Sequence, residues 1–552
     1  MLQSRPASTE CSLSEVTLSF DVHQLDTVLL VGSGITLLAI LAVRLSSRAG
    51  LPSLLIYLLM GVALGEVGLG ILFEDAEVAH ALGFGALVLI LAEGGLTTQW
   101  KAIRPAIRMG VSLATLGVAT SVALMAVGGH YLLGLPWELA ILLGACTSAT
   151  DAAAVFSVLR VVPLPRRLTG VLESESGLND APTVVLVTLV ATGAAEEHGA
   201  LAMVALVVYE LAMGVVFGLV VGYGGAWVMR RAALPSSGLY PLAVMALCVA
   251  AYGGGSVLLH ASGFASVYVA ALVLGNSDLP HRAATRSFSE GIAWLAQIGL
   301  FVMLGLLLSP SRITLTTVAL AIGAGLLLTL VARPVSVLVS ALAQPMPRRE
   351  LAFVSWAGLR GAVPIVFSTI PLAQGVEGAD RLFDLVFVMV VVYTLLTGPT
   401  LPFAARLMGV AERAEPRELD VEAAPLERIA ADLLQVRITS ESRLHGVEVG
   451  ELRLPRGASI SLIIRGGESL VPDERTVLRR RDELLVVTPR SMRSRTEERL
   501  RQVSLGGRLA QWLGKDDHGP EPATGKARRG RVRRATPWRR AGASRSWPGR
   551  PR

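Results

Sequence analysis

Apolar stretches of about 20 residues recur along the first 410 or so positions, separated by short charged or glycine-rich breaks. An α-helix of this length spans the ~30 Å hydrocarbon core of a bilayer. Division of the chain at charges and turn residues predicts about thirteen membrane spans, so the fold class is an all-α polytopic membrane protein. The spans lie near residues 25–44, 50–71, 79–99, 105–130, 137–158, 168–194, 200–229, 238–257, 261–277, 286–308, 313–342, 350–372 and 381–407.

Charge in the connecting loops alternates along the chain. Loops after odd-numbered spans are basic, as with Lys101, Arg104 and Arg108, whereas loops after even-numbered spans read FEDAE, AEEH or EGADR. Cytoplasmic loops carry the excess of Lys and Arg. The pattern therefore predicts an extracytoplasmic N-terminal segment at 1–24, a transmembrane domain at 25–410 and a cytoplasmic C-terminus.

Thirteen spans allow two inverted six-helix repeats around one linking helix, which makes the fifth and twelfth spans counterparts. The fifth contains the polar run TSATD, and the twelfth contains GLRGAVP followed by Pro371. Interrupted helices at matching positions of two halves are typical of the central site of a transporter. We therefore expect two broken helices that cross one another.

The chain changes character after position 410. A charged linker at 411–421 precedes the alternating runs DLLQVRIT, ASISLIIRGG and DELLVVTP, which predict a small β-rich α/β domain at 422–492. No glycine-rich phosphate loop is present, which argues against a dinucleotide-type site. Residues 493–552 are predicted to form a basic, disordered tail, for which anionic lipid is a better partner than nucleic acid.

The composition supports a membrane protein and gives no sign of a metal or redox centre. Hydrophobic residues make up 52% of the chain, which is too many for a soluble multidomain protein. The three cysteines, Cys11, Cys146 and Cys248, are scattered and have no metal-ligand spacing.

Two acidic residues, Asp151 and Asp180, lie within apolar runs long enough to cross a membrane. A carboxylate at membrane depth costs about 3 kcal/mol, and it persists where it pairs, faces a water-filled cavity or handles ions. Twelve helical residues at ~1.5 Å each place Asp180 roughly 18 Å deep, near the midplane. Glu173, Ser176 and Asp180 share one helix face, which is suited to line an aqueous funnel with Glu173 nearer its mouth.

The polar neighbours of these carboxylates are mostly oxygen donors. Thr150 precedes Asp151 and Asn179 precedes Asp180, so the set is suited to a hard monovalent cation, K⁺ or Na⁺, at Asp180. A proton competes for the same carboxylate, so one group can bind either ion in turn. A single buried aspartate can merely hydrogen-bond a neighbour, but two at matching depth favour ion binding.

Four other charged positions in the spans have structural interpretations. Glu175 points away from Asp180 towards a neighbouring helix, and Arg333 in LTLVARPVSVL is a suitable partner for it. Glu93 in ILAEGGL and Arg360 in GLRGAV are expected to lock helices together or to satisfy the ends of a broken helix at the crossover.

At these residues the sequence resembles the monovalent cation:proton antiporter family of the NhaP and sodium/proton exchanger kind. TSATDAAAVF resembles the unwound fifth helix of that family, ESESGLNDAPTVVL its sixth-helix signature, and GLRGA a further motif. The resemblance implies Asp180 as the carboxylate that exchanges cation and proton, with Ser176 at the ion and Thr150 and Asp151 at the crossover. It also implies the pairing of Glu175 with Arg333.

The Asn–Asp pair at 179–180 implies electroneutral one-for-one exchange, because only one carboxylate there carries charge. Residues 422–492 resemble a TrkA-C domain, and the CvrA-type potassium/proton antiporters combine the two parts. The resemblance thus implies K⁺ export in exchange for protons, with Na⁺ or Li⁺ as the alternative cation, in a homodimer of the bacterial inner membrane. It implies no enzyme activity and no cofactor, and a small cytoplasmic ligand such as a nucleotide on the C-terminal domain.

Two other classes use some of the same features. An intramembrane aspartyl protease also has two buried carboxylates, but the sequence around Asp151 and Asp180 lacks its GxGD motif. A ligand-gated cation channel needs a selectivity filter such as a TVGYG-like run of carbonyls, which the chain lacks.

Overall fold

The computed structural model describes residues 22–49, 53–66, 75–151, 164–411, 419–426, 431–439 and 442–507, together with a few single positions between these ranges. Most of the predicted N-terminal segment, part of the linker and most of the basic tail lie outside the described residues. The chain divides into two compact units, Met1–Pro416 and Arg417–Arg552.

The first unit is helical, and its described helices match the thirteen predicted spans one by one. In chain order they are α1 (Val22–Ala49), α2 (Ser53–Leu64), α3 (Ala76–Thr97), α4 (Ile107–Tyr131), α5 (Trp137–Ser148), α6 (Arg166–Ala191), α7 (Ala194–Arg231), α8 (Leu239–Leu259), α9 (Gly263–Asn276), α10 (Arg282–Leu307), α11 (Leu315–Ser340), α12 (Arg348–Trp356), α13 (Ala362–Ala373) and α14 (Ala379–Leu407). The twelfth predicted span is the broken pair α12 and α13.

Among the described helices, seven are long and apolar enough to cross a membrane by length and composition: α3, α4, α7, α8, α10, α11 and α14. The shorter apolar segments include α5 and α13, which are short because each ends or begins at an interruption. Two of the long helices, α4 and α11, contain a π-helical turn, at Leu113–Gly117 and Leu328–Ala332.

Proline and short polar side chains set where the helices begin. Pro136, Pro165 and Pro347 stand directly before α5, α6 and α12, where a missing backbone N–H costs nothing. Asp75 caps α3 by accepting a hydrogen bond from the backbone N–H of Val78 at 3.0 Å. These caps agree with the span starts that the sequence predicts to within a few residues.

Glycine lets α2 and α10 approach each other closely. A Cβ atom built on Gly61 would lie 2.1 Å from the carbonyl oxygen of Val302, and one built on Gly305 would lie 2.3 Å from that of Leu58. Lipid provides no hydrophobic driving force between helices, so close backbone packing of small residues holds such pairs together.

The second unit contains a five-stranded antiparallel sheet in the order β1-β2-β5-β3-β4. Its strands are β1 (Leu419–Leu426), β2 (Ala431–Ile438), β3 (Ser459–Arg465), β4 (Glu468–Leu470) and β5 (Glu483–Pro489). Inward-facing Leu434, Val436, Leu484 and Val486 are fully buried and form its core.

A helix, α15 (Arg493–Gly506), follows the sheet in residues that the sequence assigned to a disordered tail. That assignment needs correction, because Thr496, Leu500, Val503 and Ser504 are buried along one face of the helix. Only two of these residues are apolar, so the helix carries too weak a hydrophobic signal to be seen among its six charged neighbours in RSRTEERLR.

We expect Gly305→Ala to destabilise the membrane unit by about 1–3 kcal/mol, because the added methyl group overpacks the α2–α10 contact. Gly299→Ala on the same helix is the matched control, since a Cβ atom there meets nothing within 4 Å. Thermal unfolding of the purified protein in detergent measures both. Equal stability of the two variants would contradict the close packing.

Candidate functional site

The end of α5 meets the break between α12 and α13, and a backbone hydrogen bond joins the two segments. The chain is extended at Ala149, directly after α5, and the N–H of Asp151 donates to the carbonyl of Leu359 at 3.0 Å. Unwound backbone at membrane depth is tolerated only where its polar groups find partners within the protein. The structure thus confirms the break predicted in the twelfth span at GLRGAVP and the end of α5 at TSATD, whereas most of the rest of the fifth span lies outside the described residues.

Arg360 completes this crossover. Its Nη1 atom donates to the carbonyl oxygens of Ser148 at 2.8 Å and Ala149 at 2.6 Å, which end α5. The last carbonyls of a helix lack intrahelical partners and carry partial negative charge. The buried guanidinium therefore satisfies the end of the broken helix, as the sequence predicts.

A cavity of about 960 Å³ adjoins the crossover. Its wall contains most of the residues predicted to form the ion site: Thr150, Asp151, Glu173, Ser176 and Asp180. Its lining also includes the basic residues Lys101, Arg166 and Arg167, which belong to loops or helix starts rather than to span interiors. The structure therefore brings the predicted residues that follow α5 and those of α6 to one cavity, which is large enough for many water molecules.

Asn179 and Asp180 present oxygen atoms without protein partners. Asn179 and Asp180 are 1% and 6% exposed, and the Nδ2 of Asn179 donates to the hydroxyl of Thr150 at 2.7 Å. Within the part of the chain that the structure describes, Asn179 Oδ1 and Asp180 Oδ1 are buried and accept no hydrogen bond. Buried polar atoms are normally satisfied, so these oxygens are free to coordinate an ion.

The side chain of Asp151 lies against the backbone of Gly361, just before α13. A Cβ atom built on Gly361 would lie 1.8 Å from Asp151 Oδ2. Only glycine leaves room for the carboxylate in this position. The second motif, GLRGA, thus contributes both Arg360, which donates to the carbonyls at the end of α5, and Gly361, which leaves room for the Asp151 carboxylate.

Glu175 points to the other side of α6 and pairs with Arg333 of α11. Both nitrogens Nη1 and Nη2 of Arg333 donate to the carboxylate, Nη2 at 2.8 Å, and the two residues are 2% and 5% exposed. Nη2 also donates to the carbonyl of Val354 at 3.3 Å. The pair predicted from the sequence therefore links α6, α11 and α12.

Glu93 does not lie where the sequence places it. It stands on α3 in the wall of the 960 Å³ cavity rather than at the crossover of the broken helices. The sequence gives no sign of this, because the face of α3 that meets water is set by tertiary packing. Arg360 alone of the two residues predicted for the crossover lies there.

Several cavity residues were missed by the sequence analysis, among them Tyr268 of α9 and Gln297 of α10. Tyr268 is 4% exposed, and a Cβ atom on Gly177 would lie 2.3 Å from its ring carbon Cζ. The ring therefore presses on α6 between Glu173 and Asp180. A lone tyrosine in an apolar span is typical of ordinary helix packing, so no motif distinguishes it.

Comparison with known proteins identifies the family. Residues 34–407 match the sequence profile described as sodium/hydrogen exchanger, transmembrane. The chain belongs to the sodium/hydrogen exchanger family. Residues 433–501 of this exchanger match a TrkA-C domain. It is thus a multi-pass membrane protein, and a cation/proton antiporter rather than an enzyme.

Among curated relatives, the exchanger is 35% identical over 472 residues to the K⁺/H⁺ antiporter NhaP of Alkalimonas amylolytica, covering 84% of this chain and 81% of the relative. It is 36% identical over 482 residues to the K⁺/H⁺ antiporter NhaP2 of Shewanella oneidensis, covering 85% and 82%. A Na⁺/H⁺ antiporter, ApNhaP of Aphanothece halophytica, is 26% identical over 470 residues, covering 80% and 85%.

The fold also matches a solved structure of the sodium proton antiporter MjNhaP1 from Methanocaldococcus jannaschii. The TM-score is 0.59 at 20% identity, covering 70% of this chain and 99% of that chain. At this identity the match establishes the fold alone. It confirms the architecture in which the candidate site is held.

We expect Glu175→Gln and Arg333→Gln each to destabilise the exchanger by about 3–5 kcal/mol, because each leaves one buried charge without its partner. The double variant should lose less than the sum of the two, and a double-mutant cycle on thermal unfolding measures the difference. Glu138→Gln, at the exposed start of α5, is the control and should change stability little. Additive losses would mean that the pair does not interact.

Proposed function

We propose that this exchanger carries K⁺ out of the cell in exchange for protons, with Asp180 as the group that binds either ion. The observation that carries the proposal is the buried Asp180 Oδ1, which has no partner among the described residues and borders the cavity. Asn179 Oδ1, Thr150 and Ser176 are candidate further ligands, since hard cations prefer oxygen. Asp151 adds a second carboxylate to the same wall.

A single exchanging carboxylate accounts for coupling. When Asp180 holds a proton it is neutral, and when it holds K⁺ its charge is neutralised by the ion. Both loaded forms therefore carry the same net charge through the membrane, and exchange is electroneutral. Asn179 contributes an oxygen without a second charge, which supports a one-for-one stoichiometry.

The proposed transport cycle is alternating access. The basic residues Lys101, Arg166 and Arg167 border the cavity and belong to loops assigned to the cytoplasm by their charge. We therefore infer that the cavity opens to the cytoplasm, with Glu173 and Glu93 along the path to Asp180. Movement of the crossover region would then expose Asp180 to the opposite side.

Potassium is proposed because the two relatives at 35–36% identity are named K⁺/H⁺ antiporters. Sodium remains the alternative cation, since the more distant ApNhaP is named a Na⁺/H⁺ antiporter. We further propose a homodimer in the bacterial inner membrane, surrounded by lipid, with a small cytoplasmic ligand on the TrkA-C unit and no nucleic-acid partner.

Asp180→Asn should abolish exchange, because the amide can neither release a proton nor neutralise a cation. Dye-reported proton flux in liposomes, with K⁺ or Na⁺ added across a pH series, measures this. Glu210→Gln is the matched control, since it removes another carboxylate from a membrane helix, α7, away from the cavity lining. Near-normal flux in Asp180→Asn would rule out the proposed role of Asp180.

Flux in the unaltered protein should persist when the membrane voltage is clamped, because no net charge crosses. A response to K⁺ that exceeds the response to Na⁺ supports potassium as substrate. A response to Na⁺ alone would keep the mechanism and change the cation. A voltage-dependent cation current without proton flux would instead indicate a channel.

A further inference from the structure

A second, much smaller cavity lies beside the crossover, between Arg333 and Arg360. Its volume is about 20 Å³, where one water molecule needs ~10–15 Å³. There is thus room for one water or one small ion. The residues that surround it come from α11, α12, α14 and the break before α13, and they include Thr329, Arg333, Gly358 and Arg360.

Both arginines that line this cavity have a donor left over. The Nη atoms of Arg333 donate hydrogen bonds to Glu175 and to the carbonyl of Val354, and Nη1 of Arg360 donates to the carbonyls at the end of α5. The Nε atoms of both residues are buried without a hydrogen-bond partner among the described residues. A Cβ atom on Gly358, which lines the cavity, would lie 2.7 Å from Arg333 Nε.

The local charges do not balance. Arg333 and Arg360 are each 5% exposed, yet only one carboxylate, Glu175, is paired with either of them among the described salt bridges. Among the residues that the structure describes, no acidic side chain lines the cavity, and Asp151 lies against Gly361 at the larger cavity. Apart from Glu175, the described partners of the two guanidinium groups are backbone carbonyls, which carry only partial negative charge. The second full positive charge therefore has no full negative counterpart among the described residues, and a buried charge without one is costly.

We propose that this cavity binds one small monovalent anion, of the halide class, between Arg333 Nε and Arg360 Nε. A water molecule would satisfy the hydrogen bonds but would leave the positive charge in place. Phosphate and sulfate are too large for the space. The hydroxyl group of Thr329 in the lining can donate a further hydrogen bond to such an anion.

The anion has a structural consequence at the ion site. Arg333 holds α6 through Glu175, and Arg360 holds the end of α5 through Ser148 and Ala149. An anion bound by both guanidinium groups would therefore link Arg333, which holds α6 with Asp180, to Arg360, which holds the end of α5 next to Asp151. Anion binding does not depend on which cation is transported, so the anion proposal can be tested independently of the proposed function.

A path for the anion is suggested by a neighbouring groove of about 360 Å³. Thr329, Ser355 and Trp356 line both the groove and the small cavity. The lining of the groove also includes Arg348, the exposed first residue of α12.

Bromide provides a direct test. Crystals of the full-length protein grown in bromide should show one anomalous peak between the two Nε atoms when data are collected at the bromine edge. Density for a water molecule without an anomalous peak would overturn the proposal. A peak elsewhere only would do the same.

Thermal unfolding of the full-length protein gives a test in solution. Replacing gluconate by chloride at constant K⁺ and ionic strength should raise the Tm with saturation. Arg360→Gln should abolish this shift, whereas Glu175→Gln, which frees a further positive charge, should lower the half-saturating chloride concentration. If the arginines act only by packing, the two variants are not expected to change the chloride dependence of the Tm in opposite directions.

Two further variants keep the test decisive should Arg360→Gln fail to fold. Gly358→Ala retains every charge and places a methyl group beside Arg333 Nε, so it should remove the chloride shift. Arg312→Gln changes an arginine that pairs with Asp380 and Asp384 away from this cavity, and it should retain the shift. An unchanged shift in Gly358→Ala, or none in the unaltered protein, would overturn the proposal.

Discussion

The rest of the membrane unit depends on hydrogen bonds from the protein itself to the backbone N–H and C=O groups at the helix breaks. α5 stops at Ser148 within the protein interior, and its last carbonyls would be left bare if Arg360 did not donate to them. The reciprocal bond from Asp151 N–H to Leu359 fixes the two breaks against each other. Because the protein supplies these hydrogen-bond partners, the backbone can remain non-helical at the two breaks, and nearby side chains need not cap it.

Two carboxylates on α6 illustrate how position on a helix decides a role. Glu175 and Asp180 are five residues apart, or about 140° around the axis. One faces Arg333 and is fully paired, so its charge is fixed by its partner. The other faces the cavity with an oxygen left over, so in the proposed mechanism its charge is neutralised by either a proton or a cation. A rigid pair thus holds the helix that presents an exchangeable group.

The sequence predicts the spans and most of the candidate site, because hydropathy over a span sums many residues and intramembrane charges are few. It identifies Asp180, Glu175 and Arg333, and it finds the end of α5 from TSATD and the break in the twelfth span from GLRGAVP. The sequence does not predict where a side chain lies when its position depends on which helix faces pack together. Glu93 in the cavity wall and Tyr268 against Gly177 are examples. The sequence also misses α15, whose buried face includes two hydroxyl residues.

The order of charges along the large cavity has a consequence for ion supply. Lys101, Arg166 and Arg167 border a space that is acidic further in, at Glu93, Glu173 and Asp180. An approaching cation therefore meets a repulsive rim before an attractive interior. Repulsion of this kind is screened over ~10 Å at 0.1 M ionic strength and over longer distances in dilute solution. We therefore infer that cation entry into the cavity is easier at high ionic strength than in dilute solution.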